Sequence, residues 1–221
     1  MKYIYFGHAC FKLDTGKEKI LFDPFLTGNS QAAVKAEKVR CDYLLLSHAH
    51  SDHFGDANEI ALRTGAKVVA IPEVINLFSK ALTNFHPMNL GGSFKTGFGV
   101  IKMVQAFHSA GVAGGTPCGF IIRFNDGPTV YFAGDTALFG DMKLFGKMYD
   151  IDYAVLPVGD TYTMGPEDAL MAAKFLKAKY LIPVHYNTWP VITQDINDFK
   201  AEAAKEGVDV IIVRPGESIE L

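Results

Sequence analysis

The sequence predicts an α/β protein in which two sheets face each other with helices outside. Three observations predict it. Short apolar runs of strand length alternate with helix-like segments, each half of the chain opens on an antiparallel group, and six apolar runs end directly in a polar residue able to bind a metal. With 221 residues, 49% of them hydrophobic, the chain can bury the core such layers need, and its length suits one domain over residues 1–221.

The elements follow in order. "KYIYFG", "CFKLD" and "KILFD" read as small antiparallel strands, with a turn at Thr15-Gly16-Lys17. "CDYLLLSH" reads as a short buried strand, and "ANEIALRTG" as a helix that Asp56 can cap and Gly65 can end. "KVVAI" predicts a strand and "PEVINLFSKAL" a helix opening on Pro72, where the missing N–H does no harm. His86, in "NFHPM", falls in a surface loop and receives no role. The second half repeats the grammar. "FGVIKMVQAFH" and "CGFIIRF" are strands, Asn125-Asp126-Gly127-Pro128 a turn, and "TVYFAGD" a strand leading into the helix "TALFGDMKLFGKM". Strand "DYAVLPVGD", helix "PEDALMAAKFLKA", strand "YLIPVH", helix "TQDINDFKAEAAKEG" and strand "DVIIV" complete the alternation.

Asp23, His48, His108, Asp135, Asp160 and His185 each follow one of these apolar runs. In α/β folds the carboxyl ends of the strands form the crevice where ligands bind, so the six positions propose a single rim.

Composition narrows the function. A formal charge of −3 and the lack of any Lys/Arg run argue against a dedicated nucleic-acid binder and leave a small-molecule substrate as the expected partner. The first residues alternate and carry charge, unlike a signal peptide, and no segment has the length and apolarity to span a membrane. Cys10, Cys41 and Cys118 are odd in number and widely spaced, as expected of reduced thiols in a cytoplasmic protein. Monomer and homo-oligomer are both open.

The densest chemistry is "HAHSDH", His48 to His53. An extended chain places His48 and His50 on one side, about 6 to 7 Å apart along the backbone, so both imidazoles can reach one ion. Asp52 and His53 then address a second ion as the chain turns into the next helix. Alone, His108 and His185 would be structural histidines and Asp135 a helix cap. With the cluster they complete a dinuclear set: His48, His50 and His108 for one ion, Asp52, His53 and His185 for the other, Asp135 bridging. Such an imidazole-rich set suits zinc, iron, manganese or nickel better than calcium or magnesium.

"HAHSDH", a separate His, a "GD" and a late His together resemble the signature of the metallo-β-lactamase superfamily. All seven ligand positions find counterparts over nearly the whole chain. The resemblance implies a four-layer αββα sandwich, two facing mixed sheets with helices outside and the metals at one edge between them. "FGHACF", "LFDPFL", "PVGDTYTMGPEDA" and "PVHYNTWP" resemble a group of uncharacterised metal-dependent hydrolases related to the ascorbate-6-phosphate lactonase branch. Asp135 stands where the best-known zinc β-lactamases carry a cysteine, which speaks against antibiotic hydrolysis.

The expected activity is hydrolysis of an ester, lactone or phosphodiester by a metal-bound hydroxide at two divalent ions, zinc first, with Mn2+, Fe2+ or Ni2+ as alternatives. Asp52 or Asp135 would accept the nucleophile's proton, and His8 would serve the leaving group or be a buried structural histidine. Asp23 reads as a carboxylate that orients a ligand imidazole or as a turn residue before Pro24, and Asp160 as a cap or turn residue before Tyr162, with orienting a ligand as its alternative. Two rivals keep the fold: an iron-dependent oxidoreductase and a non-catalytic metal-binding module. The glycine-rich "AGVAGGTP" lacks the Lys and Ser/Thr of a phosphate-binding loop and reads as a flexible substrate-side loop. Tyr186 and Trp189 read as core packing at a turn.

Overall fold

The computed structural model describes residues 1–221. Lys2–Gly7 (β1), Cys10–Asp14 (β2) and Lys19–Phe22 (β3) form the antiparallel opening that their alternation predicts. The first sheet then turns parallel through Tyr43–Leu45 (β4), Lys67–Ala70 (β5) and Phe85–Pro87 (β6). Its crossovers carry the helices Ser51–Phe54 (α1), Ala57–Thr64 (α2) and Pro72–Ile75 (α3).

The second sheet repeats the plan. Ser93–Lys95 (β7), Gly99–Gln105 (β8), Cys118–Phe124 (β9) and Thr129–Phe132 (β10) are antiparallel, and Tyr153–Pro157 (β11), Tyr180–Val184 (β12) and Asp209–Val210 (β13) add in parallel. Met142–Met148 (α4), Pro166–Leu176 (α5) and Ile196–Lys205 (α6) supply the helices, and Ser218–Glu220 (β14) returns to pair with β1. Both sheets have seven strands, in the orders β14-β1-β2-β3-β4-β5-β6 and β13-β12-β11-β10-β9-β8-β7.

The period of two explains how the second sheet buries both faces. Val130, Phe132, Val155 and Ile182 belong to the core shared with the first sheet, while Tyr131, Ala154, Leu156 and Leu181 pack with Phe145, Ala172 and Leu176 of the helices. Phe132 meets Phe11 and Phe22 of the first sheet edge-on, with ring centroids 5.1 and 5.5 Å apart. Each such buried ring contributes roughly 1.5–3 kcal/mol. The αββα sandwich expected from the resemblance is therefore the observed fold.

Several local expectations are corrected. The helix expected from Pro72 ends at Ile75, because the chain turns to bury Phe78 and Leu82 while the Ser79 amide donates to Asn58. The helix expected from Thr136 starts only at Met142. The backbone of 136–137 is occupied elsewhere: Ala137 N–H donates to Phe107 O, Met164 N–H to Thr136 O, and Phe107 N–H to the Thr136 hydroxyl. Asp56 precedes α2 without capping it, since its carboxylate accepts the amides of Leu26 and Thr27. His86 lies in edge strand β6, its ring stacked 3.6 Å from Phe94 of β7, where the edges of the two sheets meet.

One glycine lets the sheets converge beside the rim. Gly134 has φ +61°, and a Cβ there would lie 2.7 Å from Cys118 O and 2.8 Å from Ser47 Cβ. Only a residue without a side chain brings the end of β10 so close to the first sheet.

Candidate metal centre

The rim is real, but the strands stop short of it. β4 ends at Leu45, so His48 and His50 sit on an extended segment beyond it, with His50 (φ −60°, ψ 148°) as the N-cap of α1. Asp52 and His53 occupy that helix's single turn, which solves the problem of pointing adjacent residues toward one centre. His108 follows β8, Asp135 follows β10 and His185 follows β12. His8, Asp23 and His185 hold left-handed φ values of 56°, 36° and 57°. Such conformations cost non-glycine residues about 1–3 kcal/mol each and persist where the surroundings enforce them.

Eight side chains converge, in two groups with Asp135 between them. The donor atoms of His48, His50 and His108 all lie within 4.8 Å of one another, and so do those of His8, Asp52, His53 and His185. His48 Nε2 is 2.9 Å from His50 Nδ1. Asp135 Oδ2 lies between the groups, 3.2 Å from both His53 Nε2 and His185 Nε2 and 3.6 Å from His108 Nε2. Two nitrogens on one tetrahedral zinc, with bonds of about 2.0–2.1 Å, stand roughly 3.3 Å apart, so these spacings match a shared ion.

The outer partners decide where each lone pair points. Asp23 Oδ2 accepts from His53 Nδ1 at 2.7 Å and from the Ser47 hydroxyl at 2.5 Å, while its other oxygen accepts the Ser47 amide. With the Ser47 proton committed to Asp23, His48 Nδ1 must donate to Ser47 Oγ, 2.9 Å away. His48 and His53 thus turn bare Nε2 atoms to the centre. His53 Nε2, His185 Nε2 and Asp135 Oδ1 are buried without a hydrogen-bond partner, although carboxylate oxygens lie close by. Unpartnered lone pairs gathered beside carboxylates fit a cation.

Electrostatics agree. Burial favours neutral His53, but the flanking Asp135 and Asp23 carboxylates hold its protonation well above the ordinary range in the metal-free chain. His185 is likewise opposed by burial yet raised to about 9, mainly by Asp135. A bound cation takes the place of those protons. Asp135, despite complete burial, is held well below the usual carboxylate range by His185 and His53.

His8 is fully buried. Because a carboxylate only accepts, His8 Nε2–H donates to Asp52 Oδ2 at 3.2 Å, and the Thr188 hydroxyl, 2.8 Å away, donates to His8 Nδ1. Burial lowers its pKa to about 4, the neighbouring His185 adding to the effect.

Comparison with known proteins gives this centre its context. A beta-lactamase superfamily domain matches residues 3–185. The UPF0173 metal-dependent hydrolase of Pelotomaculum thermopropionicum is 48% identical, with 100% of both chains covered. This chain belongs to the UPF0173 metal-dependent hydrolases of the beta-lactamase superfamily. The solved structure of Igni18, a metallo hydrolase from Ignicoccus hospitalis, covers 100% of this chain and 98% of its own at 37% identity and a TM-score of 0.91. The diiron β-hydroxylase CmlA from Streptomyces venezuelae shares the fold alone, with 14% identity and a TM-score of 0.76 over 54% of its chain. No helix of this hydrolase is long and apolar enough to cross a membrane.

Around the hydrolase centre, the remaining sequence expectations separate. Asp23 backs His53 directly and His48 through Ser47. Asp160 hydrogen-bonds none of the converging side chains: it is exposed in a turn, its carboxylate accepting the Thr161 amide. Tyr186 is buried core, but Trp189 lines the cavity of about 460 Å³ that opens over His50, Asp52, His108, Asp135 and His185. The glycine-rich loop packs on the centre at Ala110 and Gly111, while Ala113, Gly114 and Thr116 are exposed. A Cβ on Gly111 (φ +69°) would lie 2.6 Å from His50 N, and Ala110 O accepts the Ala49 amide. Sequence reasoning missed Ser47, Thr188 and Ser109, whose hydroxyl stands 3.2 Å from His50 Nε2. Only Ser47 and Ser109, each adjacent to a predicted ligand, carried a signal.

Proposed function

We propose that this metal-dependent hydrolase works with a dinuclear centre, His48, His50 and His108 holding one divalent ion and Asp52, His53 and His185 the other. The observation that carries the reading is the position of Asp135, whose Oδ2 faces His53 and His185 at 3.2 Å and His108 at 3.6 Å. A carboxylate so placed can bridge. The imidazole-rich donor set favours zinc, with manganese, iron or nickel compatible. Bound there, a pair of ions supplies Lewis acidity and lowers the pKa of a water toward ~7, the chemistry that cleaves an ester, lactone or phosphodiester.

The chain's own residues do the rest. Asp135 lines the cavity and its Oδ1 has no hydrogen-bond partner, so this carboxylate can accept a proton from an incoming water. Asp52, also on the cavity wall, is the second acceptor. His8 donates its Nε2–H to Asp52 Oδ2, so it fixes that carboxylate and can exchange a proton with it.

Metal analysis of the purified protein, joined to a hydrolysis screen, tests the proposal. Two equivalents per chain and loss of both metal and turnover in His50→Ala and Asp135→Ala are expected. Full turnover by metal-stripped protein, or oxygen consumption by an iron form that hydrolyses nothing, would defeat it.

A further inference from the structure

The cavity wall also says what the substrate looks like. Ten residues line it: five belong to the metal cluster, and the other five are Phe25, Tyr162, Trp189, Ser51 and Ser109. None is Lys or Arg. Metal ions bound at the centre would themselves clamp a phosphoryl group undergoing reaction, but a phosphate carried elsewhere on a substrate is normally gripped by guanidinium or ammonium groups. Here the wall offers aromatic surface and two hydroxyls instead.

The aromatic side chains are presented by design of the backbone. Phe25 follows β3 and Trp189 follows β12, so the two sheets each contribute a ring, with centroids 6.1 Å apart and planes inclined by 32°. Tyr162 stands 56% exposed on a turn whose Asp160 and Thr161 have φ values of 64° and 57°. That turn is tied to the Trp189 segment, because the Thr161 hydroxyl donates to Val191 O at 3.2 Å. An exposed tyrosine held by two left-handed residues is surface kept for a partner.

We infer that the substrate is an uncharged carboxylic ester or lactone carrying a flat apolar group, which packs against Trp189, Phe25 and Tyr162 while Ser51 and Ser109 donate to its oxygens. This rests on the hydrolase reading above. The reaction needs no further co-reactant: water adds to the carbonyl carbon, the acyl C–O bond breaks, and the water's proton ends on the departing oxygen. The cavity of about 460 Å³ has room for such a molecule.

Trp189 is the chain's one tryptophan, so its fluorescence reports the wall directly. The metal-loaded protein is titrated with a neutral aryl amide and with inorganic phosphate, then assayed on two γ-lactones with one ring but different appendages, phenyl or phosphomonoester, and on diphenyl phosphate. A saturable emission change with the amide alone, and turnover favouring the phenyl lactone, is expected. Trp189→Ala should narrow the phenyl preference by roughly threefold to tenfold, with Trp189→Phe restoring most of it. Tyr162→Ala, at an exposed position, gives the same reading should Trp189→Ala fold poorly. Preference for the phosphorylated lactone or for diphenyl phosphate overturns the substrate class and leaves the hydrolase standing. A protein that holds its metal yet hydrolyses none of the three overturns both.

Discussion

The two proposed ligand groups are built to different standards. His48, His50 and His108 form an all-imidazole group of which His50 and His108 stay partly exposed and border the cavity. Asp52, His53 and His185 form a deeper group, with His53 and His185 buried and His8, Thr188 and Asp23 behind them. The difference teaches that burial and backing hydrogen bonds hold one group more firmly, although both groups send residues to the cavity wall. A chelator titration of the loaded protein should therefore remove metal in two steps, the exposed group first.

The harshest way to break the comparison is Asp135→Ala. Its carboxylate faces both groups, so neither should keep its geometry. Hydrolysis should fall by more than about 100-fold, the upper range for merely losing a residue behind a ligand, and bound metal should drop below two equivalents. Two retained equivalents would place the bridge elsewhere.

Asp23→Ala comes next and attacks both groups from behind. It frees His53 directly and His48 through Ser47, so affinity at both positions should weaken by about 10–100-fold. Loss confined to one group, seen in competition titrations against a metal-binding dye, would mean that the Ser47 link is idle.

How far the sequence revealed this depends on where the partners sit. "HAHSDH" and the polar residues ending apolar runs exposed the seven convergent side chains, because period-two strands and one sheet edge are local rules. The first antiparallel strands came out with their bounds almost intact for the same reason. Thr188 was invisible because its partner, His8, is 180 residues away and a threonine beside a tryptophan has no distinguishing pattern. Helices were over-extended at Thr136 and past Ile75, where tertiary hydrogen bonds to Phe107 and Asn58 overrode helical propensity. The strap at Gly111 read as flexible because glycine permits both freedom and close approach, and only its contact with His50 tells which.

Gly111→Ala sharpens the comparison, since it presses on the exposed group alone. A new Cβ would stand 2.6 Å from His50 N, at a φ that alanine resists, so His50 must shift. One equivalent of metal should be lost while the second remains, and activity should fall by about tenfold or more, the sensitivity expected of a misplaced reacting group.

The mildest test is Thr188→Val, which touches the deep group alone. Removing the hydroxyl leaves His8 Nδ1 without its donor at full burial, while the isosteric methyl keeps the packing. An unmade buried hydrogen bond of this kind costs about 1–3 kcal/mol, to be read as a fall in stability in urea. Metal stoichiometry should stay at two, because Thr188 touches His8 rather than His53 or His185, and turnover should drop by less than tenfold as Asp52 loses part of its anchoring. Stability and turnover both unchanged would show that His8 is held by its ring neighbours, Phe25 and Trp189 edge-on at 5.6 and 4.9 Å, and that the hydroxyl contributes nothing. His8→Phe would then separate the two causes, since it keeps the aromatic packing and removes the bond to Asp52.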